Sequence, residues 1–132
     1  LHFWRRDFRA YLEFFFGEAI PEPHSTKQRE DAVSWGLDTD PEALAMTVRA
    51  PAVLDNETLR QMCASIRCPT LVIQGTDDRL SHGTQGAGLA RAIPGARLEL
   101  IDGAGHVPNV RDPILVNLSL RRFIRSLPDV PR

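Results

Sequence analysis

Cysteine is scarce in this chain, and the long apolar runs and leader segments of membrane and secreted proteins are missing. The two cysteines, Cys63 and Cys68, lie five residues apart, a spacing that matches no zinc or redox motif. We interpret both as reduced thiols, because cytosolic proteins seldom keep a disulfide. No apolar run reaches membrane-spanning length and no signal peptide is visible. We therefore expect a cytoplasmic protein with no membrane partner.

An excess of basic charge is also missing. The formal net charge is −1 at pH 7, which argues against nucleic acid or an anionic membrane as an obligatory partner. The 42% apolar and 25% charged residues are typical of a globular protein with a core of its own. Neither a metal ion nor a cofactor is expected. Because the chain starts without Met in helical sequence, we expect a fragment or a processed protein.

The most informative stretch is residues 68–106, in which two apolar runs flank a helical segment. The first run, residues 70–73, is followed by Asp78, and the second, residues 97–101, is followed by His106. This order predicts two parallel strands joined by a crossover helix. Open α/β sheets place their chemistry at the carboxyl ends of the strands, so both side chains fall where a site is expected.

The remaining sequence predicts helices. Residues 1–67 carry signals for four short helices and no strand. The first covers residues 1–16 and is ended by Gly17, and the second is opened by a capping box at Ser25 and Gln28. The third runs from Asp40-Pro41 to a point before Pro51, and the fourth starts at Asp55 or Asn56 and carries Leu59, Met62, Cys63 and Ile66 on one face. Further helices are predicted at residues 89–93 and after Asp112-Pro113, and a turn is predicted at residues 107–109. The last helix is expected to carry Val116, Leu120, Phe123 and Leu127 on its inner face.

Aromatic residues recur along the first predicted helix. Trp4, Phe8, Tyr11 and Phe15 are spaced so that they line one helical face. Such a stripe is most often core packing, since aromatic side chains bury much apolar area. The alternative is an aromatic wall of a substrate pocket, which makes Trp4, Phe8 and Phe15 candidate substrate-binding residues.

Residues 69–78 and 93–106 together resemble the C-terminal part of an α/β-hydrolase. The Gly-x-x-Asp motif, which supplies the triad acid in that family, maps to Gly75 and Asp78. The Gly-x-Gly-His motif, which supplies the triad base, maps to Gly103, Gly105 and His106. The resemblance implies an α/β fold: two parallel strands with flanking helices, the C-terminal fragment of an α/β-hydrolase sheet, preceded by a helical cap segment. It assigns residues 1–52 to the cap and residues 53–132 to the core.

Other polar residues near the two motifs have plainer interpretations. Asp77 is the alternative acid, although the motif spacing selects Asp78 and leaves Asp77 as a turn residue. Asp102 is expected to be structural. Arg79 is either a solvated charge or a partner of Asp77. The remaining histidines, at positions 2, 24 and 82, are expected to be surface residues or are too near the terminus to interpret.

The nucleophile of such a triad is not present. No Gly-x-Ser-x-Gly pentapeptide, the nucleophile elbow of this family, occurs in the sequence. The resemblance therefore implies part of a small-molecule hydrolase that cleaves an ester or similar bond, with a Ser, Asp or Cys nucleophile outside this chain. Its expected partners are a small substrate and the missing N-terminal half of the core, and alone it should be inactive. The alternative is a non-catalytic, hydrolase-like domain that binds a small molecule or a partner.

Overall fold

A small parallel sheet with helices before, between and after its strands organises the chain. The computed structural model describes residues 3–49, 55–81 and 83–128. After a 3-10 turn at Phe3–Arg5, the elements in chain order are α1 Phe8–Ala19, α2 Thr26–Gly36, α3 Pro41–Arg49, α4 Asn56–Ser65, β1 Leu71–Gly75, α5 Gln85–Ala92, β2 Arg97–Ile101, α6 Pro108–Arg111 and α7 Pro113–Arg125.

The sheet confirms the predicted parallel pair. β1 pairs with β2 in a register that places Leu71 opposite Arg97 and Gly75 opposite Ile101. The crossover helix α5 begins earlier than predicted, because the polar segment ahead of residue 89 is already helical. The side chain of Gln74 stabilises that start, since its Oε1 accepts a hydrogen bond of 2.7 Å from the Gly86 N–H. The first N–H groups of a helix have no partner within the helix, and here one of them is satisfied by the strand.

Helix α7 packs against the sheet through a face that overlaps the predicted one, since Phe123 and Leu127 of that face are half-buried and only Leu120 turns outward. Val116 and Ser119 are buried, whereas Leu120 is 40% exposed. The face is centred on Ser119 because its hydroxyl donates to the Glu99 carboxylate on β2, which Arg122 also contacts at 2.7 Å. A polar contact of this kind has no signature in hydrophobic periodicity.

Helix α1 differs from its prediction at both ends. It begins at Phe8, where the Asp7 side chain accepts a 3.0 Å hydrogen bond from the Ala10 N–H. It continues through Gly17 and ends at Ala19, so the prediction that Gly17 ends the helix is wrong. Within the described residues only Gly95 and Gly103 have positive φ, so Gly17 does not adopt the left-handed conformation of a helix-ending glycine.

The predicted capping box at the start of α2 is also wrong. Ser25 precedes the helix, but its side chain makes no capping hydrogen bond. Its backbone, at φ −104° and ψ 28°, is outside the extended region that a capping serine normally adopts, and its hydroxyl is fully buried. The core of this part of the chain is formed by Ala19, Ile20 and Ala32.

The other helix starts follow their predictions more closely. Asp40 and Asp55 cap α3 and α4 by accepting hydrogen bonds of 2.8 and 2.7 Å from the N–H groups of Ala43 and Thr58. Of the predicted inner face of α4, Cys63 is buried, whereas Leu59 and Met62 are exposed and Ile66 follows the helix. The turn predicted at residues 107–109 is mostly the short helix α6. Asp112 precedes α7 as predicted, without a capping bond from its side chain.

The prediction of four helices and no strand before β1 holds for the described residues of that region. The point before Pro51 at which the third helix should end adjoins residues 50–54, which lie outside the description. Across the described ranges, none of the helices combines the length and the apolar character needed to cross a membrane.

Candidate active site

Two loops meet at the carboxyl edge of the sheet. Residues 76–81, here called the Asp loop, follow β1, and residues 102–107, the His loop, follow β2. Backbone hydrogen bonds join the loops beyond the last strand residues. The Thr76 N–H donates to the Ile101 carbonyl at 3.0 Å and the Asp77 N–H to the Ala104 carbonyl at 2.9 Å. The Gly103 N–H donates to the Thr76 hydroxyl at 2.8 Å. The loops are thus held as one unit.

Glycine is required where these loops turn and touch. Gly103 has φ +68°, a left-handed conformation that side chains disfavour. At Gly75 a Cβ would lie 2.5 Å from the carbonyl carbon of Ala104. At Gly105 a Cβ would lie 2.7 Å from the Ala19 carbonyl oxygen. Gly75 and Gly105 therefore serve close packing against backbone, whereas Gly103 serves a left-handed turn.

Asp78 is the hydrogen-bonding centre of the Asp loop. Its side chain is 5% exposed, and its Oδ1 accepts hydrogen bonds from the N–H groups of Leu80 at 2.9 Å and Ser81 at 2.8 Å. The His106 Nδ1 lies 3.0 Å from Oδ2 and 3.2 Å from Oδ1. Because a carboxylate only accepts hydrogen bonds, Nδ1 carries the proton in this contact. The predicted contact between Asp78 and His106 is present, and its role in catalysis stays a prediction.

Two opposing effects act on the pKa of Asp78. Desolvation by burial raises the pKa, while the hydrogen bonds from the Ser81 N–H, His106 and the Leu80 N–H lower it, and so does the charge of His106. The net effect is a pKa below the ordinary value of an aspartate. The carboxylate is therefore held in its ionised form, which is the form that can orient an imidazole.

Among the described residues, the other polar side chains that the sequence offered near the two motifs do not contact His106 in the way that Asp78 does. Asp77 exposes its side chain and takes part in the loop through its backbone. Asp102 accepts a 3.4 Å hydrogen bond from the Thr76 hydroxyl, a structural role. Arg79 lies 3.5 Å from Glu18 of α1, so the proposed pairing with Asp77 is wrong. His24 is exposed. His2 and His82 lie outside the described residues.

Two residues at the site were not predicted from the sequence. The Ser81 hydroxyl lies 3.5 Å from His106 Nδ1, at the end of the turn closed by Asp78. The spacing of Asp78 and Ser81 is that of an aspartate-led turn, which could have indicated it. Glu22 accepts a 2.6 Å hydrogen bond from the Gly105 N–H. It is 83 residues away in sequence, so no local pattern could have indicated this contact.

A depression of about 170 Å³ opens beside the Asp78–His106 pair, lined also by residues of β1 and α5. The described residues that line it do not include Trp4, Phe8 or Phe15. Those rings instead pack on Tyr11, at centroid distances of 5.3, 6.4 and 6.1 Å respectively. Their substrate-binding role stays a prediction.

A metal ion would need several ligands close together. Within the described ranges, no three or more His, Cys, Asp or Glu side chains cluster in a way that could hold one. The chemistry that the described side chains at this edge can support is acid–base chemistry at the imidazole, with the carboxylate as its partner.

Several proteins that are similar to this chain are named as hydrolases. The chain is 30% identical over 128 residues to a pimeloyl-[acyl-carrier protein] methyl ester esterase of Xanthomonas campestris, covering 93% of this chain and 49% of the esterase. It is 40% identical over 63 residues to RutD of Pseudomonas syringae, whose name gives carbamate hydrolysis as a candidate activity, covering 48% of this chain and 24% of RutD. No family model matches the chain.

Among solved structures, the esterase RhEst1 from Rhodococcus sp. ECU1013 superposes with a TM-score of 0.78 and 26% identity. The superposition covers 96% of this chain and 45% of the esterase. A βαβ unit with an aspartate after one strand and a histidine after the next is the arrangement of the last part of an α/β-hydrolase sheet. The chain has the fold of the C-terminal part of an α/β-hydrolase. The chain spans half or slightly less of the length of the esterases that it matches.

Proposed function

We propose that this chain supplies the acid and the base of a nucleophile–His–Asp triad in a hydrolase that cleaves an ester or similar bond of a small apolar substrate. The observation that carries the proposal is the contact between His106 Nδ1 and the Asp78 carboxylate at 3.0 Å. A surface histidine has no need of a buried carboxylate at this distance. The names of the esterase relatives support an ester-like bond.

The geometry defines what each group would do. With the proton on Nδ1 held by Asp78, the lone pair of His106 is on Nε2. Nε2 would take the proton of the attacking nucleophile and return it to the leaving group. Asp78 would keep the imidazole in this tautomer and stabilise the positive charge that forms on it. The His106 side chain is 39% exposed, so it is open to a partner on the side away from Asp78.

The nucleophile and the oxyanion hole would come from outside this chain. An N-terminal half of the hydrolase core is therefore the proposed partner, and residues 1–52 are its proposed cap. In a cap, Trp4, Phe8 and Phe15 would give the aromatic wall next to the substrate once the core is complete. A base and an acid alone cannot carry out nucleophilic acyl transfer, so the chain alone should be inactive.

The test is to express the gene with the coding sequence upstream of this chain in the same reading frame. Hydrolysis of p-nitrophenyl esters by the resulting longer protein, here called the joined protein, is then measured. The Asp78→Asn and His106→Ala variants should each lower kcat by about 10³–10⁴-fold, because each disables the same base. The Asp77→Asn variant is the matched control and should keep the wild-type rate. The chain alone should not exceed its own His106→Ala variant.

Two outcomes would contradict the proposal. Turnover that survives both Asp78→Asn and His106→Ala would remove the pair from the mechanism. Binding of esters by the joined protein without turnover would favour the alternative, a hydrolase-like binding domain.

A further inference from the structure

The end of α1 and the residues that follow it touch both the Asp loop and the His loop. Residues 18–22, here called the clamp segment, contact the His loop through two successive backbone amides. The Gly105 N–H donates to the Glu22 carboxyl at 2.6 Å, and the His106 N–H donates to the Ala19 carbonyl at 2.8 Å. On the Asp loop, Arg79 lies 3.5 Å from Glu18.

The contact at Glu22 is the unusual one, because a carboxyl group is seldom buried without several partners. Glu22 is 7% exposed, and the partner of its Oε1 is the Gly105 N–H. Among the described residues, its Oε2 and the hydroxyl of Ser25 are buried with no hydrogen-bond partner. A fold that needed only to bury this segment would be better served by an apolar side chain here. The acceptor oxygen is what Glu22 contributes.

The packing around Gly105 shows why the acceptor matters to His106. A Cβ at Gly105 would overlap Pro21 and come within 2.7 Å of the Ala19 carbonyl oxygen, so the His loop lies directly against the clamp segment. The amide that Glu22 holds immediately precedes His106. Fixing it, together with the amide of His106 itself, sets the direction in which the imidazole leaves the backbone.

From these contacts we propose that Glu22 is a positioning residue for the catalytic base. It holds the Gly105 amide so that the His106 imidazole points at Asp78, and it does so from a segment that the sequence assigns to the cap. The Glu22 carboxyl group therefore couples the proposed cap to the catalytic base, next to the backbone bond between His106 and Ala19. This inference rests on the proposed function only in taking His106 as the base.

The experiment compares two near-isosteric variants of the chain, Glu22→Gln and Glu22→Met. Gln keeps a side-chain oxygen that can accept from the Gly105 N–H, whereas Met fills the same space without an acceptor. The matched control is Glu30→Ala, at an exposed glutamate of α2. Hydrogen exchange followed by mass spectrometry reports on the peptide that contains the His loop. In Glu22→Met that peptide should exchange about ten- to hundredfold faster, the loss expected for a hydrogen bond to a charged group.

A second readout separates positioning from simple stabilisation. The second readout is the rate at which the His106 ring carbon between the two nitrogens is deuterated at fixed pH. This rate depends on the hydrogen-bond partner of the ring. The Asp78→Asn variant gives the reference rate for a ring that has lost its carboxylate partner. The ring rate in Glu22→Met should move from the wild-type value toward that of Asp78→Asn. Glu22→Gln should restore both readouts, and Glu30→Ala should change neither.

Three results would overturn the inference. If the His-loop amides exchange faster in Glu22→Met but the deuteration rate of the His106 ring is unchanged, Glu22 has a structural role only. Faster exchange of every peptide in Glu22→Met would mean that the acceptor serves the whole fold. A Glu22→Gln variant that behaves like Glu22→Met would exclude the acceptor oxygen as the cause. Neither readout measures turnover. A joined protein that fails to hydrolyse esters would therefore contradict the proposed function, but not the inference that Glu22 positions His106.

Discussion

At Gly75 the strand that leads to Asp78 passes so close to the His loop that there is no room for a side chain. A Cβ there would lie 2.5 Å from the carbonyl carbon of Ala104, which is backbone and cannot rotate away. We expect Gly75→Ala to lower the free energy of unfolding by about 3 kcal/mol, at the upper end of the usual cost of overpacking. Urea denaturation at a fixed protein concentration measures this.

The matched control for that prediction is another glycine. Gly88 lies in α5 and has no atom within 4 Å of the position of a Cβ. Gly88→Ala should therefore be neutral or stabilising by about 0.5–1 kcal/mol, since alanine loses less conformational entropy in a helix. Equal effects of the two substitutions would mean that the close approach at Gly75 is not what the glycine serves.

The lowered pKa of Asp78 makes its contribution to stability dependent on pH. A carboxyl group whose pKa is lower in the folded state than its ordinary value of 3.8 stabilises the fold while it is ionised. That stabilisation is fully present above about pH 4 and is lost as the pH falls through the lowered pKa. The difference in unfolding free energy between wild type and Asp78→Asn should therefore shrink in acid.

Denaturation at a series of pH values below 5 checks this expectation, with Asp77→Asn as the control at an exposed neighbour. A difference between wild type and Asp78→Asn that stays constant, or grows, as the pH falls would contradict it. Either result would mean that the hydrogen bonds to Asp78 do not favour its ionised form.

At the scale of elements, the caps of two helices give a direct comparison. Both α1 and α7 are preceded by an aspartate, but only Asp7 accepts a capping hydrogen bond, from the Ala10 N–H at 3.0 Å. Asp7→Ala should destabilise α1 by about 1 kcal/mol, and Asp112→Ala should cost less. Peptide-level hydrogen exchange over each helix measures the two effects. A larger loss of protection from Asp112→Ala would contradict the assignment.

The elements show what a sequence can and cannot predict here. The two strands and the contact of Asp78 with His106 follow from apolar runs and two short motifs, because parallel strands bring their carboxyl ends to one edge. The extension of α1 through Gly17 depends on packing, which overrides a local helix-ending signal. The bond from Glu22 to Gly105 joins residues 83 apart, and no periodicity encodes such a pairing.

At the scale of the whole molecule, the described residues leave much apolar surface open. Large apolar side chains that are at least one third exposed lie on the 3-10 turn, on β2, in the Asp loop and on helices α1 to α5 and α7. They are Phe3, Phe14, Trp35, Met46, Val48, Leu59, Met62, Leu80, Leu89, Leu98, Leu100, Ile114, Leu115, Leu118, Leu120 and Ile124. Where exposed apolar side chains adjoin one another, they usually mark a contact surface. The proposed N-terminal half would cover part of it.

The sheet has an open edge as well. The Arg97 N–H donates to the Thr70 carbonyl, and the Thr76 N–H to the Ile101 carbonyl, so residues 70 and 76 face β2. Backbone bonding alternates along a parallel strand, so residues 71, 73 and 75 turn their backbone groups to the other side of β1. On that side the described residues provide no strand. An unpaired edge of this kind favours association with another chain.

We therefore expect the chain alone to associate. In a concentration series by light scattering or sedimentation, its mass should exceed the 14.8 kDa of one chain and rise with concentration, and its thermal unfolding should be broad. Co-production with the proposed N-terminal half as a separate chain should instead give a defined one-to-one complex, because the open edge and part of the apolar surface are then covered. A stable monomer across the concentration series, with a sharp and reversible thermal transition, would contradict the expectation. It would mean that two strands and their helices form a complete core without the proposed partner.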